Sequence, residues 1–168
     1  NHPTPKWYIE RATDQISEIN IFPKSEDVKT DKAQLNFKRE KDGTWRVIDY
    51  LAGTESHLVD DAKWQKLLPT IKRPSGVDVA VHKVRDRDYS QWGIGDNSAA
   101  VEIRFQSTTE QGTAYTDGSL LLIGDLEPGG EAYYGKSAQE GVTQPVLLFP
   151  KVWVETIFGL YEDIPYAD

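Results

Sequence analysis

A chain of 168 residues is about one domain of sequence. Its 38% hydrophobic content, with five Trp, eight Tyr and five Phe, provides enough apolar surface to bury a core, which excludes disorder. The absence of cysteine excludes disulfides, thiolate metal sites and cysteine nucleophiles. The net charge of -8 is concentrated in residues 85–168, where 5 basic groups face 14 acidic ones. Residues 1–84 carry 14 basic and 13 acidic groups, so the overall field repels phosphate backbones and no nucleic-acid partner is expected.

Local basic patches do not overcome that field. Lys72-Arg73 and the stretch 82–87 are interrupted by Asp78, Asp86 and Asp88 and read as solvated surface. No apolar run reaches the roughly 18 residues of a membrane-spanning helix. The lack of Met and the opening Asn1-His2-Pro3 fit a trimmed piece whose signal or membrane anchor lies upstream, outside this chain.

In chain order, residues 1–13 read as the end of a linker, 14–164 as a single domain and 165–168 as a tail. Ile16, Ile19, Ile21 and Phe22 predict a first strand ended by Pro23, followed by a charged loop over 25–32. Segments 34–39 and 44–50 predict a hairpin turning at Asp42-Gly43. Its register has two solutions. A two-residue loop sets Phe37 opposite Ile48 and Leu35 opposite Tyr50, whereas a three-residue loop sets Phe37 with Val47 and Arg39 with Trp45. Trp45 therefore faces either the core or solvent, because a slip of one residue reverses every side chain.

Residues 51–58 read as a loop. Asp60 and Asp61 then cap an amphipathic helix carrying Trp64, Leu67, Leu68 and Ile71, with Pro69 predicting a kink or an end near Leu68. Residues 73–97 read as an extended crossover. Val101, Ile103 and Phe105 alternate with Glu102, Arg104 and Gln106, a strand with one wet face. Short strands follow over 119–124, 131–136 and 145–149. Pro150 opens a closing helix bearing Trp153, Ile157, Leu160 and Tyr161.

The fold class expected is α+β: mainly antiparallel short strands with two amphipathic helices. Each half reads as a small sheet followed by a helix, which allows two degenerate halves although no motif recurs at fixed spacing.

Catalytic and metal-binding constellations are sparse. Ser56-His57, near Glu55, Asp60 and Asp61, holds the residue types of a nucleophile, a base or a metal site, but neighbours in sequence point apart and no His-Glu-x-x-His spacing is present. Helix capping explains Asp60 and Asp61 instead. Asp86, Asp88, Asp96 and Asn97, or Asp125 and Glu127, are oxygen donors of the kind calcium takes, without the complete series of a calcium loop. The glycines form no phosphate-cradling Gly-x-Gly-x-x-Gly. No catalytic residue, metal or cofactor is therefore assigned. The binding candidates are Trp45, Trp92, Tyr133 and Tyr134, whose rings could stack on a sugar or pack against a protein, and whose alternative role is to fill the core. Tyr133 and Tyr134, adjacent on a strand, must face opposite sides.

Several segments resemble a bacterial family, domain of unknown function 4340. They are Gly43-Thr44-Trp45-Arg46-Val47, Asp60-Asp61 before Leu67-Leu68, Trp92-Gly93-Ile94, Leu122-Ile123-Gly124-Asp125, Ala132-Tyr133-Tyr134-Gly135 and the final strand, proline and helix. Their order and spacing run from about Asp14 to Asp163. The chain departs from the family's usual Tyr/Phe-Gly-Leu at Trp92-Gly93-Ile94. The resemblance implies an extracytoplasmic envelope protein tethered by an N-terminal membrane helix, with relatives encoded near gliding-motility-type ABC transporter components and no established catalytic activity. The expectation is a non-catalytic domain that contacts an envelope or transporter protein; the alternative is a glycan-binding module using surface Trp and Tyr.

Overall fold

The computed structural model of the chain describes residues 12–72, 74, 76–85, 88–138 and 143–167. Among these residues nine strands form one sheet: β1 (Ile16–Phe22), β2 (Leu35–Arg39), β3 (Trp45–Asp49), β4 (Ser56–Leu58), β5 (Asp78–Val81), β6 (Ala99–Thr108), β7 (Ala114–Leu126), β8 (Ala132–Ser137) and β9 (Val146–Pro150). Two helices, α1 (Asp61–Ile71) and α2 (Lys151–Phe158), follow β4 and β9. The spatial order is β4-β3-β2-β1-β6-β7-β8-β9-β5, with every neighbouring pair antiparallel. The fold is thus α+β but dominated by the sheet. Two four-strand meanders, each trailed by a helix, meet where β1 pairs with β6.

The first hairpin adopts the register with Phe37 opposite Val47 and Arg39 opposite Trp45. The turn decides it. Gly43 takes φ 88°, its N–H donates to the Glu40 carbonyl at 3.0 Å, and the Glu40 N–H donates to the Thr44 carbonyl at 2.7 Å. This is a turn closed by a glycine bulge, and it sends Trp45 into the core.

Side-chain alternation then sorts the sheet into two faces. Ile19, Ile21, Leu35, Phe37, Trp45, Val47, Val101, Ile103, Leu121 and Phe149 point to the face covered by α1 and α2. Trp64 of α1 stacks on Phe37 with ring centroids 4.4 Å apart and meets Trp45 at 5.4 Å. Trp153 of α2 packs on Phe149 at 5.2 Å, and its indole N–H donates to the Ile71 carbonyl at 3.2 Å, satisfying one acceptor left open at the end of α1.

Four elements differ from the sequence expectation. The segment 51–58 is not all loop: residues 56–58 form β4, too short to show periodicity, held by pairing to β3. The crossover contains β5, an edge strand on β9. β7 starts at Ala114, five residues before the expected 119, because its polar first part is held by β6. Pro69 does not end α1, which runs to Ile71. Its ring lies on the exposed side, and burial of Leu68 and Ile71 keeps the last turn helical. The expected N-cap is present, with the Asp60 carboxylate accepting from the Lys63 N–H at 3.2 Å. Beyond the domain boundary expected at 164, Tyr166 bridges Val59 and the Pro165 carbonyl accepts from the Asp60 N–H at 2.8 Å.

Trp64 joins α1 to both strands of the first hairpin. Trp64→Ala is expected to destabilise the chain by about 3–5 kcal/mol, the usual cost of emptying a large aromatic site. Urea denaturation against the parent chain measures it.

Candidate functional site

Among the described residues, the face opposite the helices is only partly covered. Over its centre lies the segment after β1, where Phe22 and Ala33 pack with Ala100, Val28, Leu120 and Leu122. Toward β9, residues of the loop before β6 close over the sheet: Val84 and Ile94 pack with Val146, Trp92, Tyr89 and Tyr134. The two covers are tied together, since Ser25 and Glu26 donate backbone N–H groups to the carbonyls of Ser98 and Asp96. Between them and the β4 edge, the strands β2, β1 and β6 present polar side chains.

Strand pairing arranges those side chains in two rows. Lys38, Glu18 and Arg104 lie side by side, as do Asn36, Asn20 and Glu102. Asn20 is at the centre and only 3% exposed. Its amide donates to Glu18 Oε2 and to Glu102 Oε1, each at 3.0 Å, and its oxygen accepts from Asn36 Nδ2 at 2.6 Å. Asn36 also donates to Glu18 Oε2 at 2.8 Å. Arg104 Nε donates to Glu102 Oε1 at 3.0 Å, with its Nη1 4.0 Å from Glu18 Oε1. Burial works against the charge of Arg104, but Glu102, Glu18 and Asp31 outweigh it and hold the guanidinium above its ordinary pKa.

The arrangement is a fixed hydrogen-bonding surface. Each carboxylate has an acceptor turned inward to an amide, and Arg104 leans over a concavity of about 370 Å³ lined by Glu102, Thr116, Asp117, Gly118 and Leu120. Such a surface can recognise a partner with donors and charges of its own. Among the described residues no group of three or more His, Asp or Glu is placed to hold a metal ion.

The sequence-predicted candidates do not converge here. Trp45 is 4% exposed inside the helix-side core, so its ring is closed to a ligand. Tyr133 and Tyr134 face opposite sides, as adjacent strand residues must. Tyr133 leans on the helix-side core, and its hydroxyl donates to Glu155 Oε2 at 3.2 Å; burial and that carboxylate raise its pKa. Tyr134 and Trp92 share the cover near β9, and the Trp92 ring is 6.4 Å from Tyr89. Only those two of the four candidates lie together, and both are half-buried.

Ser56 and His57 also separate. Ser56 Oγ accepts from Arg46 Nε at 2.9 Å on the open side, whereas His57 is exposed and edge-on to Tyr166. The Asp88 carboxylate is occupied by Ser90, accepting from its backbone N–H and its hydroxyl, and these bonds lower its pKa. Asp86 lies outside the described residues.

Glu18, Asn20, Asn36, Glu102 and Arg104 were not singled out from the sequence. Alternation marks Glu18 and Asn20 in the first strand, and Glu102 and Arg104 over 100–106, as the wet face, but only the pairing of β1 with β2 and with β6, the latter 80 or so residues away, brings them together with Asn36. No family model, no curated protein and no solved structure matches the chain.

Replacing the central amide tests how tightly the surface is built. Asn20→Asp places a third carboxylate between Glu18 and Glu102, and burial among like charges raises its folded-state pKa. The expected cost, about 1–3 kcal/mol, is full above that raised value and shrinks as pH falls through it toward the ordinary aspartate value of about 4, leaving only the loss of one of the two donated hydrogen bonds. Urea denaturation of variant and parent at several pH values gives the difference.

Proposed function

We propose that this chain is a non-enzymatic binding domain that recognises a protein partner across the open face of its sheet, around Glu18, Asn20, Asn36, Glu102 and Arg104. What carries the reading is the satisfied, charge-alternating ladder centred on the buried Asn20 amide. Its inner bonds are made in advance, so binding orders few side chains and the outward charges choose the partner.

Cell-envelope placement, tethering by a segment outside this chain and association with an ABC transporter come from the family resemblance and are part of the proposal. One packing feature supports treating the motifs of that resemblance as a set. Trp92-Gly93-Ile94 lies directly against Leu122-Ile123-Gly124-Asp125: a Cβ on Gly124 would collide with the Trp92 carbonyl oxygen, and one on Gly93 with the Asp125 carboxylate. Two short motifs far apart in sequence therefore form one contact that only glycine permits. We also read the two meanders with their trailing helices as degenerate halves of one design.

A second reading, glycan binding, rests on the half-exposed group of Trp92, Tyr134 and Tyr89, with Lys136 Nζ 4.8 Å from the centre of the Tyr89 ring. It predicts that Trp92→Ala removes retention on a glycan array while the circular-dichroism spectrum shows the domain still folded.

The leading reading is tested by placing a photo-crosslinking residue at Lys38, on the open face, or at Lys66, exposed on α1, in the protein in its native membrane. Position 38 is expected to give a discrete protein adduct that position 66 does not. Arg104→Glu should reduce that adduct about tenfold or more, as expected for reversing one charge of an interfacial set. Equal labelling from both positions, or indifference to Arg104→Glu, contradicts the proposal.

A further inference from the structure

Away from the open face, the loop between β3 and β4 and the end of the chain enclose a cavity of about 310 Å³. Its walls are Asp49, residues 52–54, Glu55, His57 and Tyr166. Backbone bonds pin both sides. The Asp49 carbonyl accepts the N–H groups of Ala52 and Gly53 at 3.0 and 3.1 Å, and one oxygen of its carboxylate accepts the Leu51 N–H at 3.0 Å. Opposite, Tyr166 bridges Val59, and the Ala167 N–H donates to the Leu58 carbonyl at 2.9 Å. Two segments far apart in sequence therefore hold the lining in place before any ligand arrives, which lowers the ordering cost of binding.

The lining is chemically one-sided. Asp49 and Glu55 bring negative charge, and among the described residues no lysine or arginine lines the cavity. Arg46, the nearest arginine along β3, is turned to the opposite face, where its Nε donates to Ser56 Oγ at 2.9 Å and its Nη2 to the Ser56 carbonyl at 3.0 Å. The second carboxylate oxygen of Asp49 and both oxygens of Glu55 accept no hydrogen bond from the described residues. Two rings stand beside these acceptors: His57 and Tyr166 have centroids 5.6 Å apart and planes at 81°. Burial, and then the charge of Asp49, raise the pKa of the Tyr166 phenol, so the field of that carboxylate reaches the ring.

Carboxylates with open acceptors beside an aromatic ring suit an organic cation. A metal ion is poorly served: among the described residues no group of three His, Asp or Glu is placed to hold one, and Asp60 is occupied as the cap of α1. Of the organic cations, a guanidinium is planar, forks two N–H donors onto one carboxylate, keeps others for a second and lies flat on an aromatic face, whereas an ammonium is a compact, strongly hydrated point charge.

We propose that this cavity binds a guanidinium group, with Glu55 taking two of its donors, Asp49 a third and the Tyr166 ring packing against its plane. The volume lies at the small end of ligand sites, which begin at about 300 Å³. The site shares no residue with the polar ladder, so it holds whether or not a partner docks on the open face.

Methylguanidinium, titrated to about 20 mM at constant ionic strength into the ¹⁵N-labelled 168-residue chain, tests this. It should shift the amide resonances of 52–57 and Tyr166 with a Kd on the order of 1–10 mM and leave those of Asn36 and Glu102 in place. Acetate, of similar size and opposite charge, should shift none of them, and methylammonium should bind severalfold more weakly. The double variant Asp49→Asn with Glu55→Gln keeps an acceptor for the Leu51 N–H and should weaken binding about tenfold or more. Agmatine and the peptide acetyl-Gly-Arg-Gly-amide separate the two sources of the group: tighter binding of agmatine assigns it to a free small molecule, tighter binding of the peptide to an arginine of a protein. Absence of shifts, shifts spread equally over the open face, methylammonium binding as tightly as methylguanidinium, or a double variant that binds like the parent overturns the proposal.

Discussion

A carboxamide buried in a sheet must have its hydrogen bonds made, because an unpaired polar group away from water costs several times what a made bond contributes. Asn20 meets that requirement with Glu18, Glu102 and Asn36, and the arrangement around it follows. Its amide needs two carboxylate acceptors, which places both acids beside it. Two acids in proximity need a compensating cation, and Arg104 is the cross-strand neighbour of Glu18. The same pairing that joins the two meanders thus builds the polar surface. Slipping β1 by one residue against β6 would bury Glu18 and Asn20 among the aromatics under α1 and expose Ile19 and Ile21, so the polar face and the apolar face fix each other's register.

The asymmetry between the faces follows from the connections. Each meander ends in a helix, and both helices lie on one face, where their Trp residues complete the core. Among the described residues the other face receives only loops, and those cover the region near β9 and the centre. The region left open carries polar residues from three strands of both meanders. The proposed binding function is assigned to it because this surface combines access with rigidity, whereas the buried Trp45 has rigidity without access.

Much of the architecture was legible from short-range pattern. The alternation of Val101, Ile103 and Phe105 with Glu102 and Arg104, the Asp60 cap and the Asp42-Gly43 reversal each rest on local chemistry, and each is present. Elements whose stability is tertiary were not legible. β4 has three residues, β5 adds one strand to an edge, and the polar start of β7 depends on the partner strand rather than on its own sequence. The candidate site was harder for the same reason. The sequence offered aromatics as the conspicuous side chains, but conspicuous aromatics fill cores more often than they line sites. Glu18 and Glu102 look like ordinary wet-face residues until strand order makes them neighbours. The glycines at 93 and 124 of the family-like motifs are positions of close approach, which only the folded contact shows.

The central claim is that the polar ladder is already assembled in the free chain. The side-chain amide of Asn20, followed by ¹⁵N NMR, tests it most directly. Buried and doubly bonded, its protons should exchange with solvent at least about tenfold more slowly than those of the exposed Asn97, and Glu102→Gln should shift their resonances. Asn20 amide protons that exchange as fast as those of Asn97, with resonances indifferent to Glu102→Gln, would contradict the account.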